Sequence, residues 1–433
     1  MGNVSAGLSL NSKKELSKTH NSSTFVDNMR LAVHRWYRYP AGFSAQWVKE
    51  VITGFKSNEP ITLFDPFVGC GTTVITGEEC GVQSYGIEAH PFVVRMAKAK
   101  LLWRENTKAF REHTERVLRF AENLPESGDL KSIYPILVLK CYSEGSLREL
   151  DALRRSWIHH DDHSSASELT WLALVGILRA SSFAGTAPWQ YILPKKTKKR
   201  PKKPFDAFDT QTDIMIKDME RFQSTVKGPH GRIFEDDARY CSSIADNSIN
   251  LIITSPPYTN NYDYADATRL EMSFLGEIRK WSDLQRKVRK YLIRSCSQHM
   301  SNDDTLGMIL EDKNLEPIIT ELREVCYELS KVKECHGGRK RYDLMVAAYF
   351  SDLAKVWISL RRVCRDGAKA CFVVGDSAPY GVYVPVDRWL GELAVAAGFK
   401  SYYFEKTRDR NVKWKNRKHD VLLHEGRLWV NAS

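Results

Sequence analysis

The sequence has little that would crosslink it, anchor it in a bilayer or grip a polyphosphate. Its nine cysteines (70, 80, 141, 241, 296, 326, 335, 364 and 371) form no CxxC pair and no zinc-ligand spacing. Such scatter suits reduced thiols in a reducing compartment better than a disulfide framework. The lone Cys335-His336 pair has no matching partner pair, so no metal site is expected. No run of 18 apolar residues occurs, and the N-terminus carries no apolar signal core, so neither a membrane span nor a secretory signal is expected. Ala6 stands where a myristoylation motif needs Ser or Thr. No Gly-Lys-Ser/Thr phosphate loop and no three-glycine dinucleotide turn is present. Those two absences disfavour ATP and nicotinamide sites.

What is there begins with size and charge. The chain has 433 residues, 42% hydrophobic and 27% charged, which is ordinary for a globular protein of two or three domains, or of one domain with insertions. Its net charge of +11 and pI near 9.1 suggest a polyanionic partner.

Two stretches carry the chemistry. The first runs Ile61-Thr-Leu-Phe-Asp65-Pro66-Phe67-Val68-Gly69-Cys70-Gly71-Thr72-Thr73. It reads as a strand ending in an acid, a Gly-x-Gly turn, and a helix opened by threonines. Gly69 and Gly71 allow close approach of backbone to ligand. Thr72 and Thr73 are N-cap types at a helix start with free N–H groups. A second strand, Ser84-Tyr-Gly-Ile-Glu88, ends in a carboxylate placed to accept ribose hydroxyls. An adenosine ligand without a pyrophosphate fits this unit, and S-adenosylmethionine is such a ligand. Asp65 would take its amine and Glu88 its ribose. The second stretch is Thr254-Ser255-Pro256-Pro257-Tyr258, closing the apolar run Asn250–Ile253. Its two prolines remove backbone donors and leave outward carbonyls, beside a hydroxyl and a stacking ring. That is a cradle for a flat base bearing an amino group.

Asp65-Pro-Phe-x-Gly-x-Gly-Thr-Thr73 with Ser255-Pro-Pro-Tyr258 resembles the paired signature of the S-adenosylmethionine-dependent DNA amino-methyltransferases. The leading serine resembles the cytosine-N4 branch; the adenine-N6 branch usually has Asp or Asn there. His34 to Phe43, with Tyr39 and Pro40, resembles that family's N-terminal cofactor motif. Phe234 to Arg239 resembles its third motif, in which Asp237 would meet the adenine ring. Asn416 to Leu423 resembles a closing strand. The resemblance covers roughly residues 30–100, 230–276 and 345–430. It implies a Rossmann-like methyltransferase sheet; strands and helices alternating along both halves predict an α/β, mostly parallel sheet with an antiparallel C-terminal strand, interrupted by two insertions of largely helical pattern. The resemblance also implies S-adenosylmethionine as cofactor, duplex DNA as partner, a separately acting restriction endonuclease, and a cytoplasmic, nucleoid-associated location. Catalysis would fall to Ser255 and the carbonyls of Ser255 or Pro256, with Pro257 and the Tyr258 ring completing a pocket for a flipped base. Carbon-5 methylation needs a cysteine that in its own family follows a proline, and no Pro-Cys dipeptide occurs. Adenine-N6 transfer, an RNA amino-methyltransferase and an inactive nucleic-acid binder stand as alternatives.

The expected organisation is a mobile leader (1–24), a cofactor half (25–100), an insertion (101–226), the catalytic-loop segment (227–276), a second insertion (277–340) and closing strands (341–433). The first insertion contains Trp189 and then Lys195-Lys196-Thr-Lys198-Lys199-Arg200-Pro-Lys202-Lys203, seven basic residues in nine. Aromatics before a Pro-broken basic run point to phosphate contact, and this insertion is the favoured reader of the target. Only Asp409 to Arg417 separates the last two β segments, too short for a crossover helix, so they are expected to pair antiparallel.

Overall fold

The fold is taken from a computed structural model that describes residues 25–39, 42–55, 59–186, 191–197, 200–260, 262–301, 303–335, 337, 340–410 and 421–432. The strands are β1 (Thr62–Asp65), β2 (Gln83–Glu88), β3 (Ala184–Thr186), β4 (Ile192–Thr197), β5 (Arg232–Glu235), β6 (Ile249–Thr254), β7 (Cys364–Gly375), β8 (Ser401–Arg410) and β9 (Leu423–Asn431). Seven of them form one sheet, ordered β5-β2-β1-β6-β7-β9-β8. β5, β2, β1, β6 and β7 pair in parallel, and β9 runs antiparallel to both β7 and β8. This is the expected mostly parallel, Rossmann-like α/β sheet with an antiparallel C-terminal strand.

Alternation along the strands sorts the two faces. Leu63, Leu251, Ile253 and Cys371 pack with Trp47, Val48 and Ile52 of the helix Ala45–Gly54. Phe64, Ile252, Ala370 and Phe372 face the other way, against the helices Tyr342–Val363 and Val386–Ala396. Every residue of β6 is buried, which is why it reads as a continuous apolar run instead of an alternating one. β7 is longer than the Lys369–Val374 segment that hydropathy marks, because it extends back to Cys364 and pairs with Ile249. β9 begins at Leu423, where the sequence motif ends; residues 416–420 lie outside the described residues.

The first insertion is built from the helices Thr107–Asn123, Glu144–His160, Ser165–Ser181 and Pro204–Thr225. Three of the four open on side-chain caps, at Asn106, Ser143 and Ser164. Their core is continuous with Trp36 and Tyr37 of the N-terminal segment, Phe92 of the sheet-flanking helix Pro91–Lys100, and Phe274 beyond the Ser255–Tyr258 loop. β3 and β4 form a separate antiparallel hairpin on this insertion. Among the described residues no helix is long and apolar enough to cross a membrane.

Candidate active site

Strand order reverses between β1 and β6: β2 and β5 lie to one side of that seam, β7 to the other. In such sheets the carboxyl ends at the switch point open into a crevice. Asp65 ends β1 and Thr254 ends β6, so the two signature stretches meet there. The Thr254 hydroxyl donates to Asp65 Oδ1 at 2.5 Å, Thr73 donates to Oδ2 at 2.6 Å, and the Phe67 amide donates to Oδ1 at 2.9 Å. Both Asp65 and Thr254 are fully buried. Burial lifts the Asp65 carboxyl to about 6, against the pull of its three hydrogen bonds. Asp65 thus joins the glycine turn, the following helix and the end of β6.

A cleft partly open to solvent lies at this seam. Of the expected residues, Tyr39, Pro66, Phe67, Gly69, Thr72, Glu88, Asp237, Ser255 and Pro257 line it. Asp65, Gly71, Thr73, Pro256 and Tyr258 do not. Pro40, Trp189, Lys198 and Lys199 lie outside the described residues, as does the Lys196 side chain. Thr72 and Thr73 are not caps: Gly71, at φ 87°, holds the N-cap position of the helix Thr72–Glu79, and Thr73 is spent on Asp65. Only a residue at ease in the left-handed region suits that turn. Gly69, at φ 51°, is also close to Tyr39, whose ring would lie 3.2 Å from an added Cβ.

Glu88 faces the cleft while accepting the amides of Gly69 (3.0 Å) and His90 (2.9 Å). Burial raises its carboxyl to about 7 despite those donors. Asp237 lines the cleft with its carboxylate held by Arg239, whose Nη2 lies 2.6 Å away. Ser255 donates to the Val373 carbonyl at 3.3 Å and lies beside the Tyr258 hydroxyl. With its proton directed at Val373, Oγ keeps lone pairs free to accept. The Tyr258 ring has the Arg410 guanidinium 5.4 Å from its centroid.

Several residues that sequence reasoning passed over complete the site. His90 is 2% exposed and lines the cleft. Its Nε2 is 2.9 Å from the Thr268 hydroxyl, which itself donates to the Ala265 carbonyl. Nδ1 is buried and makes no hydrogen bond among the described residues. Burial lowers this imidazole to about 4 and keeps it neutral. Tyr264 lines the cleft from beyond the Ser255–Tyr258 loop, and Tyr291, Leu292 and Ile293 line it from the second insertion. The acid-then-His spacing after β2 was the only signal that could have found His90; none marked Tyr291.

The basic hairpin comes close to this cleft through its root. The Tyr191 hydroxyl accepts the Asp263 amide at 2.6 Å, and the Tyr191 and Tyr262 rings lie 5.2 Å apart. Tyr262 in turn meets Tyr264 edge-on at 4.6 Å. Lys195, Arg200, Lys202 and Lys203 are all exposed.

No protein-family profile matches the chain. It is 27% identical to the Type II methyltransferase M.BsoBI of Geobacillus stearothermophilus over 415 residues, 87% of this chain and 80% of that protein. It is 24% identical to the Type II methyltransferase M.AvaI of Nostoc sp. over 401 residues, 87% of this chain and 81% of that protein. A shorter match, 36% over 75 residues, covers 17% of this chain and 16% of the Type II methyltransferase M.MvaI of Kocuria varians. Among solved structures, the rRNA methyltransferase aviRa from Streptomyces viridochromogenes aligns over 91% of this chain and 86% of that one. Its TM-score is 0.26 at 10% identity, too low to carry an argument. Similarity along most of the chain to two Type II methyltransferases, over a Rossmann-like sheet with a cleft at its switch point, supports a methyltransferase.

Proposed function

We propose that the protein transfers a methyl group from S-adenosylmethionine to the N4 amine of cytosine in duplex DNA. The observation that carries this reading is the meeting of both signature stretches at one cleft, with Glu88, Gly69 and Ser255 on its walls. The Type II names of the relatives support DNA as the substrate class, with a separately acting restriction endonuclease as the functional counterpart.

The cleft fits the cofactor on its donor set. The Glu88 carboxylate would accept ribose hydroxyls, and the unpartnered His90 Nδ1 offers a second hydrogen-bonding atom beside it. Asp65 holds the turn that carries Gly69 and Phe67, so its role toward the cofactor amine is exerted through that turn. Arg239 holds the Asp237 carboxylate in place at the cleft wall. When bound, S-adenosylmethionine supplies an electrophilic methyl group. The cytosine amine is a poor nucleophile because its lone pair is delocalised into the ring. Ser255 Oγ and the neighbouring carbonyl would accept its two hydrogens and turn the lone pair toward the methyl group. The new N–C bond forms as the S–C bond breaks, and the surplus amine proton leaves to solvent. A base inside a duplex cannot reach these atoms, so the target is flipped out at a cost of a few kcal/mol.

Incubation with labelled S-adenosylmethionine and duplex DNA, followed by nucleoside mass spectrometry, tests the proposal. N4-methylcytosine is the expected product. N6-methyladenine would move the protein to the adenine branch, and absence of label in DNA would sink the reading.

A further inference from the structure

The lysine-rich hairpin belongs to the first insertion, yet the second insertion builds part of the cleft. Tyr291, Leu292 and Ile293 line it, and Tyr291 is 43% exposed at its rim. Arg279, Lys280 and Lys290 are exposed in the segment leading to Tyr291, and Lys290 lies 4.6 Å from the Tyr291 ring. None of these three cations is in an ion pair among the described residues, whereas Arg286 pairs with Asp283 at 3.2 Å.

A run of surface cations is by itself only a solvated face. Two further observations separate this one from that. The first is an oriented aromatic: Trp281 is 40% exposed, with the guanidinium groups of Arg289 and Arg269 at 4.2 and 4.8 Å from its ring. The second is the anchor. Arg289 is buried and donates to Asp263 Oδ2 at 2.6 and 3.1 Å. Asp263 Oδ1 accepts the Ala265 amide, starting the short helix that carries Tyr264 into the cleft. The Asp263 amide is the one held by Tyr191 at the root of the basic hairpin. Burial alone would raise the Asp263 carboxyl, but His299 and Arg289 hold it down at about 2. The ion pair therefore persists across any working pH. Both insertions are thus tied to a single residue, five positions past Tyr258.

We infer that the segment 279–291 is a second nucleic-acid contact surface. It would take phosphates of the strand flanking the target nucleotide on Arg279, Lys280 and Lys290, and present Trp281 and Tyr291 as ring faces to unstacked bases. This rests on the DNA reading above. It assigns target contact to both insertions, where sequence alone favoured the first.

The test is Arg279→Ala/Lys280→Ala/Lys290→Ala in the full chain, with binding of a labelled duplex measured by anisotropy over a series of salt concentrations. Each lost phosphate contact lowers the slope of log K against log salt by about 0.9, so a fall of about one to about three is expected. Affinity for S-adenosylhomocysteine, which reports the folded cleft, should not change. Should the triple variant lose that affinity, Lys280→Gln and Lys290→Gln singly should each lower the slope by about 0.9. A parental slope in variants that still bind S-adenosylhomocysteine overturns the inference. So does a surface that holds single-stranded RNA and is not competed by duplex. If the parent protein methylates duplex DNA while the slope is unmoved, only this inference falls. If the parent methylates no duplex, the functional reading falls and takes this surface's partner with it.

Discussion

Thr254 and Ser255 are adjacent, yet they face different problems. Thr254 is buried and holds Asp65; Ser255 borders the cleft. Thr254→Val removes a donor to a buried carboxylate and should destabilise the fold by roughly 1–3 kcal/mol, read by urea unfolding. An unchanged midpoint would mean the strand ends are held by packing alone. Ser255→Ala should leave S-adenosylhomocysteine affinity intact and reduce turnover by about 10² or more. Equal turnover in variant and parent would remove Ser255 from the acceptor role. His90→Phe keeps a ring of similar bulk but removes Nδ1. Titration calorimetry should then show cofactor affinity roughly three- to tenfold weaker; an unaltered affinity would leave Nδ1 without a ligand.

At the scale of elements, the β3–β4 hairpin is the clearest addition that tertiary structure makes to the basic run. Lys195 and Lys196 lie in a strand, and the hairpin's root leans on the segment that follows the Ser255–Tyr258 loop. Neutralising the seven cations between Lys195 and Lys203 should weaken duplex binding and flatten its salt dependence. A salt slope equal to the parent's would return the run to an ordinary solvated surface. The helices of the first insertion were legible in their helical patterning, while their side-chain caps, such as Asn106 and Ser164 accepting amides three residues on, came only with the structure. The glycine turn was legible from residue type and short spacing, apart from which residue caps the helix. Gly71 holds that place because its backbone is left-handed, and a propensity argument favours threonine there.

For the whole molecule, the two buried acids set a pH signature. In the folded protein burial keeps Glu88 protonated up to about 7 and Asp65 up to about 6, against ordinary values of 4.5 and 3.8. Between those limits the folded state binds more protons than the unfolded chain. Stability without ligand should therefore decline as pH rises from about 4 to 7. A ribose that donates to Glu88 needs the ionised form, so cofactor affinity should move the opposite way. Calorimetric Tm values with and without S-adenosylhomocysteine should separate further from pH 6 to pH 8. A gap that does not depend on pH would count against Glu88 as the ribose acceptor.

The sequence by itself determined the local pieces: a strand ending in Asp65, a glycine turn, a strand ending in Glu88, and a buried strand that stops at Ser255-Pro-Pro. These depend on residue type and short spacing, which neighbouring positions decide. It also implied a mostly parallel sheet, since strands and helices alternate along both halves. Strand order was not there to read, and neither was the inward turn of Asp65. The Thr254 bond to Asp65 joins residues 189 positions apart, and nothing local in either stretch specifies it. The same holds for Tyr191 on Asp263, 72 positions away, and for Tyr291 at the cleft rim. Such contacts are settled by how the sheet stacks its strands and where the insertions dock. Tertiary structure alone decided that Asp65 braces the site from behind while Glu88, His90 and Ser255 face into it.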